Sequence, residues 1–104
     1  TDDWQGADFI AQHLDGETFL KVQLKGRMTF GKRYIGRDLY VAFPDGSDWF
    51  LYPHDDLLAI ALAESGLSDT DSWQAHGGYS FPGLSRQRRE WLEPYRIAGA
   101  DFTV

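Results

Sequence analysis

Cysteine is absent from this chain of 104 residues, so neither a disulfide nor a thiolate metal site is open to it. An intracellular, cytoplasmic setting is the simplest reading of that absence, although export is compatible with it. No apolar run approaches the roughly 20 residues that a membrane-crossing helix needs, and no membrane partner is expected. A signal-peptide pattern is missing too; the chain starts with Thr1 in place of Met, as a processed chain or a fragment would. Internal repeats and low-complexity tracts are lacking. So is a phosphate-binding glycine loop, because Gly77-Gly78 lacks the Lys-Ser/Thr pair and the strand-to-helix setting of one. Histidine is scarce, at three. His54 precedes Asp55-Asp56 and reads as a helix-start residue, since neighbours in a helix cannot all face one ion. His13 near a turn and His76 before Gly77 read as exposed. Linear spacing supports no Ser-His-Asp arrangement.

One further absence is local. From Thr18 to Arg37 there is no acid, but there are Lys21, Lys25, Arg27, Lys32, Arg33 and Arg37. The remaining basic residues, Arg86, Arg88, Arg89 and Arg96, form a second block. The net charge of −6 argues against a polyanionic partner, yet local potential steers association and a whole-chain sum hides it.

What is present suffices to fold. Hydrophobic residues make up 42% and aromatics 15% of the chain, enough for one core and one domain spanning residues 1–104. A short strand is expected near Ala7–Gln12, and a second near Thr18–Lys25 across an Asp15-Gly16 turn, a pair suited to a two-residue hairpin loop. Gly26 to Gly36 reads as a long connection or a distorted strand extension. Leu39–Phe43 and Asp48–Tyr52 are strand runs apolar on both faces, joined by Pro44-Asp45-Gly46-Ser47. A helix follows, with Asp55 or Asp56 as N-cap and Gly66 as its stop. It is apolar nearly all round and expected to be buried. Leu67 to Pro82 reads as loop with anchoring aromatics. Ser85 caps a final helix over Arg86–Glu93, stopped by Pro94; Trp91 and Leu92 dock it, with Arg86, Arg88 and Arg89 outward. The expected fold is therefore α+β, a central mixed or antiparallel sheet of about four strands flanked by helices.

The first hairpin carries the candidate site. Its second arm alternates Leu20, Val22 and Leu24 with Lys21, Gln23, Lys25 and Arg27, so the polar set shares one face. With Asp15-Gly16 at the turn, Phe9 pairs with Val22 and Asp8 with Gln23, Cβ atoms roughly 5 Å apart. Lys25 lies one step along the same face. A carboxylate can hold a hard divalent cation such as Mg²⁺ through oxygen, and a nearby lysine can orient water or stabilise developing charge.

Gly6-Ala7-Asp8 followed by Val22-Gln23-Leu24-Lys25 resembles the PD-(D/E)XK nuclease superfamily, in its variant with Gln at the acidic position. The likeness extends from Gly6 to Ser65. It implies a restriction-endonuclease-like fold and a divalent-metal-dependent nuclease-like domain hydrolysing nucleic-acid phosphodiester bonds, DNA above RNA. It further implies that Asp8, Gln23 and the Leu24 carbonyl hold Mg²⁺ or Mn²⁺, and that Lys25 holds the attacking water. The catalytic set is then Asp8, Gln23 and Lys25, with Lys21, Arg27, Lys32, Arg33 and Arg37 on the nucleic acid. The family usually begins with a helix that donates a Glu, for which there is no room before Asp8. A longer reading frame, a second subunit, or loss of cutting would each account for that. Two other readings stand beside this one: a catalytically inactive nucleic-acid-binding module of the same fold, and a protein-interaction domain whose Trp4, Trp49, Trp73 and Trp91 cover an interface. A homodimer fits the nuclease reading, because cutting two strands needs two sites.

Overall fold

A computed structural model describes residues 9–12 and 19–97, with side chains from residue 20 onward. Trp4, Asp8, His13 and the Asp15-Gly16 turn lie outside the described residues. The strands are β1 (Phe9–Gln12), β2 (Phe19–Leu24), β3 (Thr29–Gly31), β4 (Leu39–Asp45), β5 (Asp48–Pro53), β6 (Gly78–Ser80) and β7 (Arg96–Ile97); the helices are α1 (His54–Glu64), α2 (Asp71–His76) and α3 (Arg86–Leu92). Five strands form one mixed sheet in the order β1-β2-β4-β5-β7, while β3 and β6 form a small sheet of their own. The class is α+β, as expected, with a fifth short strand and a second sheet that the sequence reading left out.

Period two explains the layers. Val41 and Phe43 of β4 pair with Tyr52 and Phe50 of β5, so these four side chains share a face. Onto that face pack Leu57, Leu58 and Ala61 of α1, Trp73 of α2 and Leu92 of α3, a single cluster that also takes in Met28, Phe30, Leu67 and Phe81. All three helices therefore lie on one side. Each Val, Leu, Phe or Met side chain of this cluster, buried as it is, contributes roughly 1.5–3 kcal/mol. The other face carries Val22 and Ala42, with Leu20, Tyr40, Trp49 and Leu51 against them. Trp73 is buried and Trp49 and Trp91 pack against apolar clusters, so these three tryptophans build the interior more than a surface.

Several boundaries differ from the sequence reading for definable reasons. β4 continues through Pro44 and Asp45, leaving only Gly46 and Ser47 as the loop. Pro44 is tolerated because β2 pairs with β4 only as far as Ala42, so no neighbour needs its missing N–H. Gly46 has φ +64°, the left-handed geometry that a tight hairpin loop requires. Helix α1 starts at His54 after Pro53, without a side-chain cap. At its other end Gly66 stays at φ −83°, and Ser65 does the capping, its hydroxyl donating to Ala61 and accepting from the Leu67 N–H. Ile60 and Leu62 are exposed, so the helix is buried on one side only.

The stretch read as loop after Leu67 contains α2 and β6. Thr70 caps α2 by accepting from the Trp73 N–H at 3.2 Å, and Gly77 ends it at φ +72°. Ser85 caps α3 as expected, accepting from Arg88 N–H at 3.2 Å.

The position of β3 follows from a less common device. Its residues pair Thr29 with Ser80, Phe30 with Tyr79 and Gly31 with Gly78 along one edge. On the other edge no strand is present among the described residues. There the Tyr52 hydroxyl donates to the Thr29 carbonyl at 2.6 Å and accepts from the Thr29 N–H at 2.9 Å. His54 Nε2 accepts from the Gly31 N–H at 3.0 Å. Two buried side chains thus stand in for a strand. Replacing Tyr52 with Phe strands both main-chain groups of Thr29 and should cost about 1–3 kcal/mol. Urea unfolding would show this as a lower midpoint at unchanged slope; an unmoved midpoint would contradict the assigned role.

Candidate functional site

β2 and β4 run parallel, with Gln23 beside Val41. Gln23 therefore projects toward the side on which the helices pack, and is only 8% exposed. Its Oε1 is buried and has no hydrogen-bond partner among the described residues. Lys25 lies two residues on with the same parity, and its N–H still bonds the Ala42 carbonyl at 2.9 Å, which continues the ladder. The expected row of four polar groups is shorter than the alternation suggests. β2 ends at Leu24, Arg27 lies beyond it in the bend, and Gln23 is buried instead of solvent-facing. Leu24 is 41% exposed. The register Phe9 to Val22 is the one from which Asp8 was set against Gln23; Asp8 itself is outside the described residues.

Beside Lys25 opens a groove of about 690 Å³ whose far wall is the β3–β6 sheet. Lys25, Arg27, Lys32 and Arg33 line it, together with His76, Thr29, Tyr34, Ser72, Tyr79 and Ser80, and none of the described lining residues is acidic. Of the cations expected on a nucleic acid, Arg27, Lys32 and Arg33 reach this groove; Lys21 and Arg37 are not on its lining.

Aromatic rings hold several of these cations. Lys25 Nζ lies 5.7 Å from the Tyr34 ring centre and the Arg33 guanidinium 5.0 Å from it. Arg33 also donates to the Tyr34 hydroxyl at 2.9 Å, and Lys32 Nζ sits 5.4 Å from the Trp73 ring. Lys25, Arg27 and Lys32 have no ion-pair partner among the described residues. The second block behaves differently: Arg89 pairs with Asp45, and Arg96 with Glu93 and Asp48. The described lining of the groove is thus basic, and three of its four Lys and Arg residues, Lys25, Arg27 and Lys32, have no acid against them among the described residues.

The wall is fixed from behind. His54 is fully buried. Since Nε2 accepts from Gly31, the ring is assigned as the neutral tautomer whose Nδ1–H donates to Asp55 at 2.8 Å. Asp55 Oδ2 in turn accepts from the Gly36 N–H at 2.9 Å. One His-Asp pair therefore ties both ends of the basic turn at Lys32–Tyr34 to the start of α1. Gly31 admits the Tyr34 ring, which a Cβ there would meet at 3.0 Å. Lys32 N–H bonds the Gly77 carbonyl at 2.7 Å, and the Ser72 hydroxyl bonds that of Gly78.

The hydroxyl residues, Tyr34, Tyr79 and His76 were missed as groove residues. The capping pair Thr70 and Gly77 was the signal that α2 and β6 exist and turn this segment toward the basic loop. No group of three or more His, Asp or Glu side chains able to hold a metal occurs among the described residues. Among them there is likewise no helix long and apolar enough to cross a membrane. Compared with known proteins, the chain matches no family model, no curated protein and no solved structure.

Burial pushes the His54 pKa down, a shift the Asp55 hydrogen bond only partly offsets. With the folded pKa below the unfolded one, stability is fully present above about pH 6.5 and falls as the pH drops below it. For Asp55 burial alone would raise the pKa, but the bonds from His54 and Gly36 outweigh it and lower it; its contribution is lost only in stronger acid. The expected result is a unfolding midpoint that declines between pH 7 and pH 5 in the native chain and declines less in His54→Gln. Parallel curves would remove His54 as the cause.

Proposed function

We propose that this chain is a divalent-metal-dependent nuclease-like domain of restriction-endonuclease-like fold that hydrolyses phosphodiester bonds, with DNA as substrate. The carrying observation is that Lys25, two residues beyond a buried amide oxygen of Gln23 with no partner among the described residues, opens onto a groove lined by Arg27, Lys32 and Arg33 and by no acid among the described residues. Phosphates bind where cations are oriented and not already neutralised, and Lys25, Arg27 and Lys32 have no ion-pair partner among the described residues. Its volume lies within the range of ordinary ligand sites, roughly 300–1,000 Å³.

An oxygen-seeking cation fits the donors. Gln23 Oε1 is a buried acceptor without a partner among the described residues, and Asp8 with the Leu24 carbonyl would complete the protein's share of the ligands. When bound, Mg²⁺ or Mn²⁺ would activate water and screen the phosphate. Lys25 would orient the attacking water and stabilise charge on the phosphorus oxygens. Arg27, Lys32 and Arg33 would hold the neighbouring phosphates in place.

A second reading is favoured by one observation, the neutral residue at position 23. With an amide instead of a carboxylate the domain could bind nucleic acid through the same groove without cutting it. Plasmid incubated with Mg²⁺ separates the two: cleavage by the native chain, and its loss in Asp8→Ala and Lys25→Ala, is the expected outcome. Equal residual cutting by all three would refute the catalytic assignment. Binding measured over a salt series should be strongly salt-dependent, and the pair Lys32→Ala and Arg33→Ala should reduce the slope of log K against log salt by about 2. An unchanged slope would take the groove out of the interface.

A further inference from the structure

A second cavity adjoins the groove. It measures about 100 Å³ and lies between the bend at Gly26–Met28, the end of β4 and the segment 81–84. Its floor is apolar and rigid, since Met28, Phe43 and Phe81 are all nearly fully buried. Pro82 and Leu84 form its side. The volume is somewhat below the roughly 150 Å³ of an enclosed apolar cavity that takes benzene, and this cavity is open on one side. It has room for one planar ring, seated with an edge in water.

Arg27 lines both cavities. The same residue therefore belongs both to the basic groove and to the slot, whose apolar floor is edged by Arg27 and Asp45. Arg88, outside the lining, is held against two lining residues: its guanidinium lies 4.0 Å from the Phe81 ring centre and reaches the Gly83 carbonyl at 3.5 Å. Between groove and slot the aromatic surface is continuous, with Tyr79 lining the groove and its ring 4.9 Å from Phe81 at near right angles. The acid at the rim, Asp45, is engaged by Arg89, so it does not repel a polyanion as a free carboxylate would.

We infer that this slot takes a single unstacked nucleobase from the strand whose phosphates lie along Lys25, Arg27, Lys32 and Arg33, and that the preferred substrate is single-stranded or locally unpaired. The inference rests on the groove being a nucleic-acid site and adds the form of the substrate. Charge decides the occupant: a ring that enters beside Arg27, which the slot shares with the basic groove, arrives most readily on a chain of negative charges. A base inside an intact duplex must first be unstacked, at a cost of a few kcal/mol, whereas a single strand offers it directly. Stacking in such sites tolerates any sequence, because every base has a π-face.

The test is fluorescence anisotropy without divalent metal, using the native chain and three labelled probes: a strand of thymidines, the same strand with abasic positions, and a blunt duplex of equal length. The thymidine strand should bind about tenfold more tightly than the abasic strand, a difference within the range that base stacking supplies, and also more tightly than the duplex. Leu84→Trp, which fills the slot from its half-buried side, should bring the thymidine and abasic strands to similar affinity while leaving the salt dependence unchanged. Equal, salt-dependent binding of both strands by the native chain would overturn the base slot alone and leave the cavity to an apolar side chain of a protein partner. No salt-dependent binding to any probe would overturn the groove as well.

Discussion

The structure depends on how the outer edge of β3 is satisfied. A strand of three residues paired on one side only would leave main-chain donors and acceptors facing a core, each at a cost of about 1–3 kcal/mol. Tyr52 and His54 remove that cost with one hydroxyl and one ring nitrogen. The two residues stand at the end of β5 and the start of α1, so the large sheet, the helix and the small sheet are locked together at one place. Phe30, between the two bonded residues of β3, closes the joint with rings 5.8 Å from Tyr52 and 5.7 Å from His54. Beyond Lys25 and Arg27, the described lining of the groove is carried on β3, on β6, on α2, or on the turns next to them.

That joint also explains why a cluster of cations can be held together. Lys32, Arg33 and Lys25 repel one another, and on a free loop they would spread. Here the turn is tied by Asp55 at Gly36, by His54 at Gly31 and by Gly77 at Lys32. The rings of Tyr34 and Trp73 offer their negative faces to the three cations. The one carboxylate in this arrangement, Asp55, is bonded to His54 and to the Gly36 N–H, so the turn is held without an acid placed on Lys25 or Lys32 among the described residues.

The main sheet was largely legible in the sequence because period two is a strong local signal. β4 and β5 read correctly as apolar on both faces, and the first hairpin has the register expected from its turn. Ser85 announced α3 and delivered it. The small sheet was not legible, because β3 is recognised only through partners far away in sequence: its stabilising contacts come from Tyr52, His54 and residues 78–80. His54 looked like a helix-start residue and is one, but its buried bond to Gly31 spans 23 positions and leaves no local pattern. Of the candidate site, the cations Lys25, Arg27, Lys32 and Arg33 were visible as a run without acid. That Lys21 and Arg37 stand apart from the groove could be told only from the fold.

The amide at position 23 has a physical rationale that a carboxylate there would lack. The position is 8% exposed on the face that packs under the helices. An ionised carboxylate so placed, without a bound cation, would require far more compensation than an amide does. An amide leaves only one unpartnered acceptor, a cost of about 1–3 kcal/mol that an ordered water or a cation would relieve. In a domain whose net stability is about 5–15 kcal/mol, that difference decides whether the ligand-free chain folds. Gln23 therefore lets the sheet form without an uncompensated buried charge. The charge withheld from position 23 must then be supplied by other acids if a divalent ion is to be held tightly, and the described part of the groove wall offers none.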